Sequence, residues 1–253
     1  MKYLLLILIM FPFLGLDTKE QIYFHVGYKD GKPLLHKVGT NKVVSIDENN
    51  HLAELDIDIG DHIPEFINDC ALVVMEHKVK DRFVVRSAGG VTKNYKSRDK
   101  IGSITLNNDC KYLAFSSNDS VFVFRNGKLI NKIKGERPQI VGDCLYFYLA
   151  KGGALVDLFK CDLSNLANRQ LILSDVYWAS LYVFDNGNFV ACALPLHGDR
   201  TYAIYNINTK LFKIIEDSVI QKEDCFPLYF PKSKSLYYYR PEKLIISKAV
   251  VYK

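Results

Sequence analysis

The feature that most constrains this fold is a short pattern that returns about every 40 residues along the chain. Each copy has a short apolar segment, a polar turn and a longer apolar strand. The copies cover Pro64–Met75, Ile104–Phe115, Pro138–Leu149, Leu181–Cys192 and Pro227–Tyr238, with a weaker one near Asp30. The first turn residues are Asp30, Asp69, Asp109, Asp143, Asn186 and Lys232, so the intervals are 39, 40, 34, 43 and 46 residues. This spacing is typical of four-stranded propeller blades.

The segments between these copies also have the composition of strands. Asn126-Gly127 lies between two apolar runs, which predicts a hairpin whose turn residues both have positive φ. The chain contains 15 Phe and 16 Tyr, and no segment keeps a capped helical period. We therefore predict an all-β propeller, with six four-stranded blades. The alternatives are a propeller with five or seven blades and a β-sandwich. The sandwich matches less well, because it would not explain the repeat.

One copy carries a family resemblance. Residues Asp109-Cys110-Lys111-Tyr112-Leu113-Ala114-Phe115-Ser116-Ser117 are similar to the S-P-D-G-K-x-L-A-F-x-S core of TolB-like, WD-related propeller repeats, with Cys110 in place of Gly. The likeness extends over most of residues 60–253. It implies a six-bladed propeller fold and says almost nothing about activity, because this fold carries many unrelated functions.

A propeller ring must also close, since open sheet edges would otherwise remain. The last repeat leaves few residues for its outermost strand. We expect the segment Ile22–Val26 to supply that strand to the last blade.

The N-terminus differs from the rest of the chain. Lys2 precedes an apolar run, Tyr3–Leu14, which is shorter than the roughly 20 residues of a membrane-spanning helix. This layout predicts a signal peptide or N-terminal hydrophobic segment over residues 1–16, followed by one propeller domain over 20–253. We therefore expect export to the periplasm or out of the cell. The alternatives are that the N-terminal segment stays uncleaved as a membrane anchor or forms a buried first strand. Membrane contact is expected only through an uncleaved N-terminal segment.

Six cysteines are compatible with disulfides in an exported chain. Their wide spacing and apolar surroundings, as in Phe189-Val190-Ala191-Cys192, favour buried thiols instead. The repeat places Cys70, Cys110 and Cys144 at equivalent turn positions. Their disulfide state stays open at this point.

Motifs of known catalytic chemistry are missing from the sequence. There is no G-x-S-x-G, no H-E-x-x-H and no phosphate-binding loop followed by a helix. The six histidines do not share one position in the repeat, so no metal and no cofactor are predicted. The net charge of +5 is spread along the chain, which argues against nucleic acid as a partner.

The mouth of the central channel remains as a candidate site, because the connections into the first strand of each blade converge there. Polar residues fall at these connections, and Trp178, the single tryptophan, lies just before one such strand. Trp178 is either an exposed contact or, as we favour, a side chain packed between blades. The candidate ligand or partner residues are Asp61, His62, Arg98, Arg137, Trp178 and Asp224.

These patterns favour a non-catalytic, monomeric propeller that binds a protein or peptide through one face or the channel mouth. One alternative is a propeller hydrolase or lyase with a dispersed site at the same mouth. Two further alternatives are the propeller part of a larger enzyme type and a solvated rim without any ligand.

Overall fold

The structure is a computed structural model, and it describes residues 22–60, 62–76, 80–196, 199–217, 220–221, 225–240 and 247–251. In these ranges the chain folds into successive antiparallel meanders, which we call blades and number in chain order. The signal peptide predicted over residues 1–16 lies outside the described residues. None of the helices found in the described ranges has the length and apolar character needed to cross a membrane.

The first three blades have four strands each. Blade 1 comprises β1 (Tyr23–Lys29), β2 (Lys32–Lys37), β3 (Val43–Ile46) and β4 (Leu52–Leu55). Blade 2 comprises β5 (His62–Ile67), β6 (Ala71–Glu76), β7 (Arg82–Ser87) and β8 (Thr92–Lys96). Blade 3 comprises β9 (Ile101–Leu106), β10 (Tyr112–Ser117), β11 (Ser120–Arg125) and β12 (Lys128–Lys134).

The second half of the chain repeats this order. Blade 4 comprises β13 (Glu136–Val141), β14 (Cys144–Gly152), β15 (Leu155–Asp162) and β16 (Asn165–Tyr177). Blade 5 comprises β17 (Tyr182–Phe184), β18 (Phe189–Leu196), β19 (Asp199–Asn206) and β20 (Leu211–Ile214). The described strands of blade 6 are β21 (Phe226–Phe230), β22 (Ser235–Tyr239) and β23 (Ser247–Val251). A short 3₁₀ helix, Trp178–Ser180, precedes blade 5.

The first strand of each blade is the inner one. β1 and β5 lie side by side and parallel, with Gly27 opposite Ile67, so that blades 1 and 2 form one continuous sheet of eight strands. Gly27 has φ of +131°, and a Cβ atom there would overlap the carbonyl oxygen of Ile67. Glycine therefore permits the close approach of these two inner strands.

Hydrophobic clusters fill the junctions between consecutive blades, because each strand presents alternate side chains to the two faces of its sheet. In chain order, representative buried pairs are Leu34 with Ile67, Phe83 with Phe115, Val123 with Phe147, Leu158 with Val190, and Ile204 with Tyr238. A further cluster joins blade 6 to blade 1 and contains Leu35 and Leu228. The predicted all-β propeller class is confirmed.

The ring closes by packing, so the strand exchange predicted from the sequence is wrong. Most of the Ile22–Val26 segment belongs to β1, which pairs with β2 in its own blade. In blade 6, β22 pairs instead with β23. The physical reason is the cluster between blades 6 and 1, where Tyr23 and Ile46 bury apolar surface against Phe230 and Tyr237.

The predicted turns lie where the repeat placed them, between the first and second strands of each blade. Asn126 and Gly127 form the predicted tight hairpin turn, with φ of +52° and +81°. Cys110, which replaces the glycine of the repeat, has φ of +57°. It therefore keeps the left-handed conformation that glycine adopts more easily.

The same turn carries a disulfide bond. Cys70 and Cys110 are bonded, with their Cα atoms 6.0 Å apart, whereas Cys144, Cys161, Cys192 and Cys225 are thiols. The preference for thiols was wrong for the first two cysteines. They are 40 residues apart in sequence, but equivalent turns of neighbouring blades lie next to each other in space.

Candidate functional site

The two ends of the ring differ in their connections. We call the end where the inner strands begin the mouth face, and the end with the turns between first and second strands the turn face. Neighbouring turns contact each other on the turn face: the backbone N–H of Asp30 donates to Oδ1 of Asp69 at 2.8 Å. Asn68 similarly donates through Nδ2 to the carbonyl of Asn107 at 3.2 Å.

The predicted site residues that the structure describes lie at the mouth face. His62 begins β5, and Arg98 is exposed in the connection to β9. Arg137 is the second residue of β13, and Trp178 begins the 3₁₀ helix before blade 5. Asp61 and Asp224 lie outside the described residues. The structure brings Arg137 and Trp178 together, whereas no direct contact joins His62 or Arg98 to them in the described contacts.

Arg137 and Trp178 form a cation–π pair across the junction between blades 4 and 5. The guanidinium carbon of Arg137 lies 3.8 Å from the centre of the Trp178 ring, and the Trp178 side chain is 37% exposed. Arg137 has φ of +47°, beside an irregularity in the pairing of β13 with β14. This local kink directs the side chain out of the regular strand pattern. Trp178 is therefore partly exposed and partly packed, so each of the two interpretations drawn from the sequence describes only part of its environment.

A pair of carboxyl groups lies beside this cation. Asp119, in the turn between β10 and β11, accepts a hydrogen bond through its carbonyl from the N–H of Gly135 at 2.9 Å. That contact brings its side chain to Glu136. Burial, then a hydrogen bond and charge repulsion from Asp119, raise the pKa of Glu136, while Arg137 opposes the rise. Glu136 therefore keeps its proton to a higher pH than an isolated glutamate does. This pair was not predicted, because the two residues belong to different blades.

A second set of ionisable groups lies on blade 2. His62 is directly opposite Glu76 in the strand pairing, and its Nδ1 is buried without a hydrogen-bond partner among the described residues. Burial raises the pKa of Glu65 to about 7, and the charge of Lys80 opposes this rise. Glu65 was not predicted as a site residue.

Behind the mouth, tyrosine side chains from different blades contact one another or nearby polar groups. The hydroxyl groups of Tyr28 and Tyr182 are 2.7 Å apart, although blade 6 separates their blades. His25 packs edge-on against both rings, at centroid distances of 4.9 and 6.2 Å. Tyr229 donates to Oδ1 of Asp185 at 2.9 Å. Because Tyr28 and Tyr182 meet although their blades are not neighbours, we expect a ligand of this channel to be held at its mouth.

The structure offers no metal site in the part of the chain that it describes. Groups of three or more His, Cys, Asp or Glu side chains that could hold an ion are absent from these residues. His77 and His197 lie outside the described residues.

Comparison with known proteins supports the fold alone. No family model matches the chain, and no curated protein sequence matches it. Among solved structures, Hsv2 of Kluyveromyces lactis aligns with a TM-score of 0.61 and 9% identity, over 91% of this chain and 94% of that one. The β-propeller domain of Cps50 (Swd1) from Myceliophteria thermophila gives 0.59 and 12%, over 91% and 84%. Virginiamycin B lyase from Staphylococcus aureus gives 0.54 and 14%, over 87% and 77%.

The chain is thus similar to β-propeller proteins, and the class that fold and topology define is the β-propeller. At these identities the likeness does not extend to function. One of these structures is a lyase by name, so the fold does not separate enzymes from binding proteins.

Proposed function

We propose that this protein is a non-catalytic β-propeller that binds a protein or peptide partner through its mouth face. The observation that carries the proposal is the partly exposed Arg137–Trp178 pair. Arginine and tryptophan are the residues most enriched at the energetic centres of protein interfaces. The stacking also fixes both side chains before a partner arrives, which reduces the entropy lost on binding.

The surroundings of this pair suit a polar interface rim. Asp119 and Glu136 provide acceptors beside the guanidinium, and Arg98 is exposed on the same face. An interface with an aromatic centre and a mixed-charge rim is typical of partners that associate and separate.

We further propose that the protein belongs with the TolB-like repeats and acts as a monomer in the periplasm or outside the cell. The Asp109–Ser117 repeat core supports the first assignment. The N-terminal pattern supports export, and the Cys70–Cys110 disulfide is compatible with it, because such bonds persist in oxidising compartments.

The test begins with the full chain purified from its native host, with co-purified proteins identified by mass spectrometry and then prepared separately. Calorimetric titration would compare Trp178→Ala with Leu129→Ala, an apolar residue of β12 that is 54% exposed. We expect the Trp178 variant to bind at least tenfold more weakly and the Leu129 variant to bind like wild type. Equal binding by wild type and the Trp178 variant would contradict the proposed site.

A second candidate, a hydrolase or lyase at the same mouth, is favoured by the Asp119–Glu136 pair and by Glu65. Burial raises the pKa of Glu65 to about 7 and also raises the pKa of Glu136, and a carboxyl group with a raised pKa can act as a general acid. Incubation of the identified partner with protein would separate the candidates. The enzyme is favoured if the wild-type protein changes the partner chemically, if Glu136→Gln no longer does so, and if the exposed control Glu216→Gln still does. An intact partner in every case favours binding.

A further inference from the structure

The outer strand of blade 2, β8, is an edge strand with a distinctive environment. In the described part of the chain it is hydrogen-bonded to β7 alone and ends the eight-stranded sheet. Its side chains are exposed except for Tyr95, which is half-buried. An edge of this kind offers backbone groups to an added strand.

The hydrogen bonds of the hairpin show which backbone groups of β8 face outward. The N–H of Ser87 donates to the carbonyl of Val91 at 2.9 Å, and the N–H of Ser97 donates to that of Asp81 at 2.8 Å. Hydrogen-bonded pairs alternate along an antiparallel ladder. The same register therefore directs the backbone N–H and C=O groups of Lys93 and Tyr95 toward β7. The corresponding backbone groups of Thr92, Asn94 and Lys96 point away from the blade.

Two cavities flank this strand. One, of about 520 Å³, extends over Arg82, Val84 and Glu76, and the other, of about 420 Å³, extends over Lys93, Phe124 and Gly127. Asn94, Tyr95 and Lys96 line both cavities, so β8 lies between them. Side chains of an added strand would point alternately to the two sides, one into each cavity.

The floor of these cavities is aromatic and preformed. Tyr95 stacks on Phe83 with ring centres 4.9 Å apart, and it meets the edge of Phe124 at 5.3 Å. Rings held by each other in this way provide apolar contact area with little further loss of entropy.

The mostly positive charge around the edge of β8 favours an acidic partner. The residues that line the two cavities include three cations, Arg82, Lys93 and Lys96, and one carboxylate, Glu76. Arg82 lies directly opposite Lys96 in the strand pairing, and its Nε atom is 3.7 Å from Oδ1 of Asp81. Lys93 and Lys96 are therefore the cations of this edge that an acidic segment would contact. The cationic edge also repels a second copy of itself.

We propose that β8 binds an extended acidic segment of the partner protein as an additional outer strand of blade 2. This inference rests on the proposed function, since it assumes that a protein partner exists. The segment alternates acidic and apolar residues. Its backbone pairs with Thr92, Asn94 and Lys96, while its side chains enter the two cavities.

The test uses the full chain and two fluorescein-labelled peptides, Glu-Val-Glu-Phe-Glu-Val-Glu and Lys-Val-Lys-Phe-Lys-Val-Lys, with binding followed by fluorescence anisotropy. We expect the acidic peptide to bind at least tenfold more tightly than the basic one. Asn94→Pro removes an outward N–H and leaves the ladder to β7 intact, so it should weaken binding at least tenfold. Asn94→Ala, which keeps the N–H, should bind more tightly than Asn94→Pro.

A second variant does not depend on how the strand accepts proline. Lys93→Glu with Lys96→Glu should also lose at least tenfold in affinity for the acidic peptide. Undetectable binding of the acidic peptide to wild type, or unchanged binding to folded Asn94→Pro or to the charge-reversal variant, would overturn the proposal. A native partner that is lost on Trp178→Ala but retained on Asn94→Pro would leave the proposed function standing and remove this inference alone.

Discussion

Among single side chains, His25 shows how the ring affects chemistry inside the channel. Burial lowers its pKa to about 4, and a backbone hydrogen bond with Gly27 partly opposes this effect. Its Nε2 atom has no hydrogen-bond partner among the described residues. The imidazole is therefore neutral in the folded protein, whereas it would take up a proton near pH 6.5 in the unfolded chain.

This difference predicts acid sensitivity. Because the unfolded state binds the extra proton between about pH 6.5 and 4, the free energy of unfolding should fall as the pH decreases through that window, by up to about 3 kcal/mol. Denaturant unfolding at several pH values would measure it. His25→Phe should reduce this loss, whereas His51→Gln, at an exposed histidine, should not.

Glu65 acts in the opposite direction. Its pKa is raised to about 7, so its contribution to stability is present at low pH and is lost as the pH rises from about 4.5 to 7. The contribution of His25 is therefore given by the difference in pH dependence of the free energy of unfolding between wild type and His25→Phe. The slope for wild type alone does not give it. An identical pH dependence in both proteins would contradict the assignment.

The sequence was informative about single residues where the repeat determines them. Turn residues such as Asp69 and Asp109 were placed correctly, because polar turns interrupt apolar strands at a regular spacing. Arg137 and Trp178 were each expected at the mouth, but their contact depends on a local kink in β13. Pro138 lies inside this irregularity and is a signal for a bulge, but it does not indicate which side chain the kink brings against Arg137.

Among the strands, the parallel contact of β1 and β5 depends on one glycine. Gly27→Ala would place a methyl group against the backbone of Ile67, at a φ that residues with a Cβ rarely adopt. We expect a loss of at least about 3 kcal/mol in the free energy of unfolding. Gly89→Ala is the matched control, because no atom lies within 4 Å of its added Cβ.

Urea unfolding of the two glycine variants would check this expectation. A Gly27 variant as stable as the Gly89 variant would show that the inner strands can separate at little cost. Such a result would also remove the reason for treating blades 1 and 2 as one continuous sheet.

Strand edges were predicted less well than strands. The repeat located most strands, because alternation and turns are local signals. The prediction of closure was wrong because unpaired strand edges do not join the ring; apolar faces such as those of Leu35 and Leu228 do. Which faces meet is a long-range property, and a single sequence does not encode it in any short pattern.

For the whole molecule, the Cys70–Cys110 bond joins blades 2 and 3 on the turn face. Closing a loop of 40 residues should stabilise the fold by about 4 kcal/mol, through restriction of the unfolded chain. A reducing agent should therefore lower the midpoint of denaturant unfolding in wild type. It should not do so in Cys70→Ser with Cys110→Ser.

Cys144→Ser is the control, because it removes a half-buried cysteine that forms no disulfide. That variant should still respond to the reducing agent. A wild-type protein whose unfolding curve is unaffected by reduction would contradict the presence of the bond. The repeat did contain the signal for this pair, since Cys70 and Cys110 occupy equivalent turns of adjacent blades.

The links between blades are unequal around the ring. Backbone pairing joins blade 1 to blade 2, and a covalent bond joins blade 2 to blade 3. Blades 4, 5 and 6 are connected through side chains, such as Gln139 to the backbone of Val183 and Tyr229 to Asp185. A shared sheet and a covalent bond are harder to rearrange than side-chain contacts. Arg137 and Trp178 lie where side chains make the links, so we expect any rearrangement of the blades on docking of a partner to occur there.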